Sequence, residues 1–209
     1  MYVLTMDQKG SRRSPDLVPQ LLDSANRAEP ANLLVPFSRT VGDEVQGVTD
    51  DPEHAVRLTM LALRLRSWWI GVGIGDVETP LPRESREGRG PAFVNARTAI
   101  DSAKAARSGV PVAVAGSHPA GTGAFAASDA EAVLRLVGRL VSSRSDAQWR
   151  IIDALVEDGD ERGSRKHVAA GLGISPQAVS KSLASAGWED EKACRRAAAK
   201  LLEAVNSGA

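Results

Sequence analysis

The chain has 209 residues, 43% of them hydrophobic, and its 26 Lys and Arg are matched by 26 Asp and Glu. That is enough apolar material for one good core and a smaller second one, so two domains fit. A single cysteine, Cys194, excludes a disulfide framework, and the strand-like apolar stretch from Trp68 to Ile74 is far too short to cross a bilayer. With no charged-then-apolar leader in the opening residues, the expectation is a soluble cytoplasmic protein with no membrane partner.

Tyr2 to Met6 alternate as a strand ending at Asp7, which would present that carboxylate at its C-terminal edge. A glycine and basic cluster follows, Gly10 to Arg13. Ser14, Pro15 and Asp16 then signal a helix whose apolar side is Leu17, Val18, Leu21 and Leu22, despite Pro19. Phe37 to Val41 and Val45 to Thr49 read as two short strands around Gly42-Asp43-Glu44, a hairpin with an acidic tip. Helical spacing returns over Pro52 to Arg66, and Trp68 to Ile74 resumes as a strand. A loop carrying Arg83, Arg86 and Arg89 leads to a helix from Pro91 to Arg107, and Val110 to Ala115 adds a strand. This order predicts an α+β fold in which one mainly antiparallel sheet is backed by helices.

In such a sheet the first strand and the hairpin can lie side by side, bringing Asp7 and Asp43 within reach of one divalent cation. The competing reading is an Asp that serves turn geometry and an Asp that marks a helix start. Gly71, Gly73 and Gly75 lie in a strand with no helix directly behind it, so they form no dinucleotide fingerprint and fit a close backbone approach or a bulge.

Gly116 to Gly123 reads as a loop. Ser128 and Asp129 then begin a helix whose stripe, Ala132, Val133, Leu136, Val137 and Leu140, must be covered by the first domain, the second, or another subunit. Trp149, Ile151, Ile152 and Leu155 open the terminal domain. Within it, RKHVAAGLGISPQAVSKSLA at 165 to 184 has the spacing of a helix-turn-helix: Gly173 permits a left-handed turn, Ser175 and Pro176 start the second helix, and Val168, Leu172, Ile174, Val179 and Leu183 form the shared core. Val179 and Leu183 must face inward, which turns Gln177, Ser180 and Lys181 outward as base-reading and phosphate-reading side chains. Arg165, Lys166 and the helix start at Ser175 suit phosphate contact. From Arg162 to Trp188 there is no acidic residue, so the positive charge is local. The same packing also suits a small helical bundle that binds protein. A last helix is predicted from Glu191 to Val205. Cys194, among Lys192, Arg195 and Arg196, reads as inert packing, and His54, His118 and His167 are too scattered for a zinc site.

Taken in order, the strand ending at Asp7 with Ser11-Arg12 behind it, GDEVQG at 42 to 47, GVGIGDV at 71 to 77, GPAFVNAR at 90 to 97 and the terminal run from AQWRIIDAL through SAGW resemble the SatD family of bacterial proteins. The resemblance runs through most of the chain. It implies a cyclase-like, palm-like (ferredoxin-like) antiparallel sheet with helices over residues 1–127, a linking helix over 128–145, and an all-α helix-turn-helix domain over 146–209. The first four blocks are also similar to a distant version of class III nucleotidyl cyclases and diguanylate cyclases. That likeness implies metal-binding roles for Asp7, Asp43 and Glu44, nucleotide contacts for Ser11, Arg12, Asn95 and Arg97, and magnesium with a purine nucleotide as the bound cofactor.

One departure bears on catalysis. Cyclases place an Asn and, four residues on, an Arg on a helix, whereas Asn95 and Arg97 are two apart and point to different faces. No catalytic residue is therefore assigned. The helix-turn-helix spacing, paired on one chain with the candidate pocket, leads to the expectation of a DNA-binding transcription regulator, acting as a homodimer on double-stranded DNA, whose cyclase-like domain binds nucleotide or metal without turnover. The alternative is a metal-dependent nucleotidyl cyclase or nucleotidyl-transfer enzyme carrying a DNA-binding domain.

Overall fold

A computed structural model describes residues 1–106, 109–116, 123–160 and 163–207. The predicted loop at 116–123 falls almost wholly outside them, as do Arg107, His118, Glu161 and Arg162. In chain order the elements are β1 (Tyr2–Gln8), α1 (Val18–Arg27), β2 (Val35–Arg39), β3 (Glu44–Thr49), α2 (Pro52–Arg64), β4 (Trp68–Ile74), α3 (Pro91–Ala105), β5 (Val112–Gly116), α4 (Gly123–Ser143), α5 (Asp146–Glu157), α6 (Ser164–Leu172), α7 (Pro176–Ser185) and α8 (Trp188–Ser207). The chain is α+β, with one open sheet ordered β2-β3-β1-β4-β5. All neighbours are antiparallel except β4 and β5, which make the sheet mixed. Because β3 lies between β1 and β2, and β1 between β3 and β4, two split β-α-β units interleave. β4 has its predicted bounds, and the other strands differ from theirs by one or two residues at one or both ends. β1 runs through Asp7 to Gln8, and Glu44 opens β3 instead of sitting at the hairpin tip.

Alternation along the strands sorts side chains to two faces. Tyr2, Leu4, Met6, Ile70, Val72 and Ile74 enter the main core together with α1, α2, α4 and α8. Val3 and Val48 face the other way, beneath Ala92 and Ala96 of α3. On that second face β4 is stripped to glycine: a Cβ on Gly71 would lie 2.5 Å from the backbone nitrogen of Ile100, and one on Gly73 would lie 2.1 Å from that of Ala96. The predicted close backbone approach is thus a helix laid directly on a strand. Both sheet edges are blocked by side chains. The Asn26 amide accepts from the Phe37 N–H at 2.8 Å and donates to its carbonyl at 2.9 Å. On β5, Glu131 accepts from the Val114 N–H at 2.9 Å and Arg135 donates to the Val112 carbonyl at 3.1 Å.

The stripe predicted on α4 is rotated. Its buried positions are Ala127, Ala130, Leu134, Val137 and Val141, while Leu136 is 61% exposed. The reason is that the helix, which begins five residues earlier than predicted, packs against α8, β5 and α2 of its own chain, and those neighbours choose the side that is covered. A second core joins Ile151, Ile152 and Leu155 of α5, Val168 and Ala169 of α6, Val179 and Leu183 of α7, and Trp188 at the start of α8. Residues 198–205 of α8 belong to the main core and Trp188 to the second, so one helix is shared by both cores. At this joint the buried Arg144 donates through Nε and Nη2 to the Ala186 carbonyl at 3.0 and 2.8 Å. It is also ion-paired with the fully buried Glu191, whose second partner is Arg195.

We expect Gly73→Ala to cost about 3 kcal/mol, because the obstructing atoms are backbone with no room to yield. Gly171→Ala, in an open helical position, should gain about 0.5–1 kcal/mol. Chemical denaturation of the two variants measures both. His54 on α2 supplies a pH test. It is 1% exposed, neither ring nitrogen has a hydrogen-bond partner among the described residues, and burial, followed by the Arg57 cation, lowers its pKa below 6.5. Glu29 and Asp51 oppose the shift. The folded form therefore keeps the ring neutral while the unfolded chain takes up a proton, so this contribution to stability is intact above the unfolded pKa and falls as pH drops below it. Denaturation midpoints between about pH 7 and 5 should fall more steeply for the parent than for His54→Leu; equal slopes would contradict the assignment.

Candidate functional site

The register of three neighbouring strands sets Glu44, Asp7 and Trp69 in one row across β3, β1 and β4, on the face that α3 covers. Two carboxylates side by side on a sheet repel unless neutralised. α3 neutralises both: Lys104 Nζ lies 2.6 Å from Asp7, and Arg97 lies 3.2 Å from Glu44 and 3.5 Å from Asp101. The Thr40 hydroxyl also donates to Glu44 at 2.7 Å. Asp43, in the turn that begins at Gly42 with φ +64°, is partly exposed and has no ion pair among the described residues.

A cleft of about 620 Å³ opens at the end of β1. It brings together four of the predicted residues, Asp7, Asp43, Ser11 and Arg12, and adds Arg13, Trp69 and Lys104. The loop that carries Ser11 to Arg13 is held from below by Gln8, which is 2% exposed. Gln8 Nε2 donates to the Ser14 hydroxyl at 3.0 Å and the Pro15 carbonyl at 2.7 Å, and its Oε1 accepts from the Leu17 N–H at 2.8 Å. The Lys9 N–H donates to Ser67 at 2.8 Å, and the Arg13 N–H closes a turn onto Gly10 at 2.8 Å, where φ is +66°. Lys9 places its ammonium 4.8 Å over the Trp69 ring, and burial there pushes its pKa down. Arg12 and Arg13 are exposed and have no ion-pair partner among the described residues.

The other predicted residues fall elsewhere. Asn95 donates to the Ile74 carbonyl at 2.7 Å. Ile74 is in register with Tyr2, at the far end of β1 from Asp7, about 17 Å away at the rise of an antiparallel strand. Arg97 reaches the cleft's border only through Glu44. The two-residue spacing does separate them, as expected. A magnesium centre built on all three proposed carboxylates does not fit this donor set, because Asp7 and Glu44 are already in contact with the Lys104 and Arg97 cations. Sequence reasoning missed Gln8, Arg13, Trp69 and Lys104. The one signal was that Lys104 lies seven residues from Arg97, on the same side of α3.

In the second core, α6 and α7 are joined by residues 173–175. Gly173 has φ +66° and ψ +32°, Ser175 accepts from the Ala178 N–H at 3.1 Å, and Pro176 sits in the first turn. Val179 and Leu183 are 0% and 3% exposed, so Gln177 and Lys181 project outward and Ser180 sits at the border. Lys166 is exposed, and Arg165 is paired with Glu189 at 3.1 Å. Ile174 was expected in the shared core but is 39% exposed, because the left-handed residue before it turns its side chain out of the helix pair.

We expect Gln8→Ala to cost about 1–3 kcal/mol by leaving buried partners unsatisfied, and to speed amide exchange over residues 9–17 before any other segment. Unchanged exchange in that loop would remove the supporting role of Gln8.

No curated protein matches the chain. The family model of the SatD family matches residues 8–202, which takes in the loop of the cleft, Glu44 and Trp69 of the strand row, the second core and most of the main core and of α8, while Asp7 and the rest of β1 before Gln8 precede the matched stretch. The chain belongs to the SatD family.

Proposed function

We propose that this protein is a DNA-binding transcription regulator whose sheet domain takes up a nucleotide without turning it over. The observation that carries the first half is the outer surface of α7. Its inward side is fixed by Val179 and Leu183, its start is fixed by Ser175 and Pro176, and Gln177 and Lys181 are left free on the opposite side. An amide can pair bidentately with adenine in the major groove, and a lysine can reach guanine or phosphate. Lys166 extends the cationic edge, and the Arg165 pair with Glu189 is exposed enough to open toward a phosphate at small cost. In this reading α6, the turn and α7 are a helix-turn-helix, and the chain acts as a homodimer that sets two copies of α7 on half-sites about one helical turn apart.

The second half rests on the cleft at the end of β1. Interleaved split β-α-β units with a strand-end carboxylate beside a hairpin carboxylate make the sheet domain cyclase-like in this reading, and Ser11 and Arg12 line the same cleft. Turnover is left out, because the separation of Asn95 from Arg97 breaks up the pair that would position a ribose and stabilise phosphate charge. Nucleotide in the cleft would bias the reading helices through α8, which both cores share.

The test is fluorescence anisotropy on a duplex selected from a genomic library, beside a random duplex. Lys181→Ala should weaken both and lower the salt slope by about one. Gln177→Ala should cost about 1–3 kcal/mol on the selected duplex alone. Absence of any protected sequence in dilute buffer would overturn the DNA half, and equal DNA affinity with and without every nucleotide tried would overturn the sensing half.

A further inference from the structure

We infer that the cleft at the end of β1 grips the polyphosphate of a nucleotide with protein cations alone, the Lys104 ammonium standing at Asp7 where a divalent ion would otherwise sit. The inference rests on the nucleotide reading above and narrows it. Three cationic side chains, Arg12, Arg13 and Lys104, line the cleft against two carboxylates, Asp7 and Asp43. Of those carboxylates, Asp7 is in contact with Lys104 at 2.6 Å. Glu44, next to it in the row, is in contact with Arg97 at 3.2 Å. The acidic charge left unanswered is therefore Asp43 alone, while two guanidinium groups, Arg12 and Arg13, have no carboxylate of their own among the described residues.

A divalent ion at Asp7 would have to displace an ammonium already at contact distance. Lys104 stands on a helix whose height over the sheet is fixed by the glycines of β4, so the backbone cannot carry it away without lifting α3. The displacing ion would also meet the positive field of Arg12 and Arg13. A phosphate chain meets the opposite balance: guanidinium groups offer paired donors that match phosphate oxygens, and the ammonium adds a point charge. The volume suits a small-molecule ligand, and Trp69 gives the cleft an aromatic wall against which a base can stack.

Isothermal titration of the full chain with ATP, in EDTA and in excess magnesium, tests this, with inorganic triphosphate as a competing probe. ATP should bind in EDTA with an affinity that magnesium changes less than about threefold, triphosphate should displace it, and Arg12→Ala should weaken binding about tenfold in both buffers, the scale of one charge-assisted contact. Lys104→Ala, which strips Asp7 of its partner, should lose about tenfold in EDTA and regain it when magnesium is added. Lys104→Arg should keep the parent behaviour, which separates this role from a failure to fold. Parent protein that binds ATP only with magnesium, triphosphate that does not compete, or a Lys104→Ala variant indifferent to magnesium overturns the inference and leaves the nucleotide reading standing. Binding of neither probe in either buffer removes both.

Discussion

The seating of α3 on the bare backbone of β4 is the contact from which the rest of the sheet domain takes its geometry. With no side chain at Gly71 or Gly73, the helix backbone comes down onto the strand, and the buried residues of α3 are the methyl-bearing Ala92, Ala96, Ala99 and Ala103 with Ile100 as the one larger side chain. Helix height then fixes where longer side chains can reach. Lys104 and Arg97, on one side of α3, land on the two strand carboxylates, while Asn95 is carried to the other end of the sheet. A bulkier β4 would raise the helix and lengthen both ion pairs, so the same two glycines that make the layer thin also set the electrostatics of the cleft.

The second constraint is that the two cores share a helix. α8 begins beneath α7 with Trp188 and ends against the sheet with Leu202 and Val205. Near its start, Glu191 is wholly buried between Arg144 and Arg195, and the Arg144 guanidinium also lies 4.9 Å from the Trp149 ring. Burying such charges is costly, and their attraction does not exceed that cost by much. Removing one member, however, strands the others, at about 3–5 kcal/mol. The consequence is geometric: the cluster has one arrangement in which every charge is answered, and that arrangement fixes the angle between α4, α5 and α8. A second tie runs from α2, where Arg64 forks onto Asp153 with two contacts of 2.7 Å and stacks 4.1 Å from Trp149.

Much of the local structure was legible because it follows from short-range rules. Trp68–Ile74 was read to the residue, since a run of alternating large and small residues bounded by polar ones allows little else. Gly173, Ser175 and Pro176 announced a left-handed stop, a cap and a start, and each plays that part. The α4 stripe was harder. Apolar residues lie on more than one side of that helix, and packing against α8, β5 and α2, which the spacing does not reveal, selects the set that meets the core. Ile174 misled for a different reason: hydrophobicity alone does not say where a side chain points after a residue with positive φ.

The sequence by itself determined the elements, the alternation that gives the sheet two buried faces, the capped turn between α6 and α7, and the polar side of α7, because each depends on neighbours within a few residues. Only the tertiary structure decided which distant charges meet. Lys104 is 97 residues from Asp7, and Arg97 is 53 from Glu44. Strand order and helix height, set by packing over the whole sheet, bring them together, and no spacing along the chain encodes that encounter.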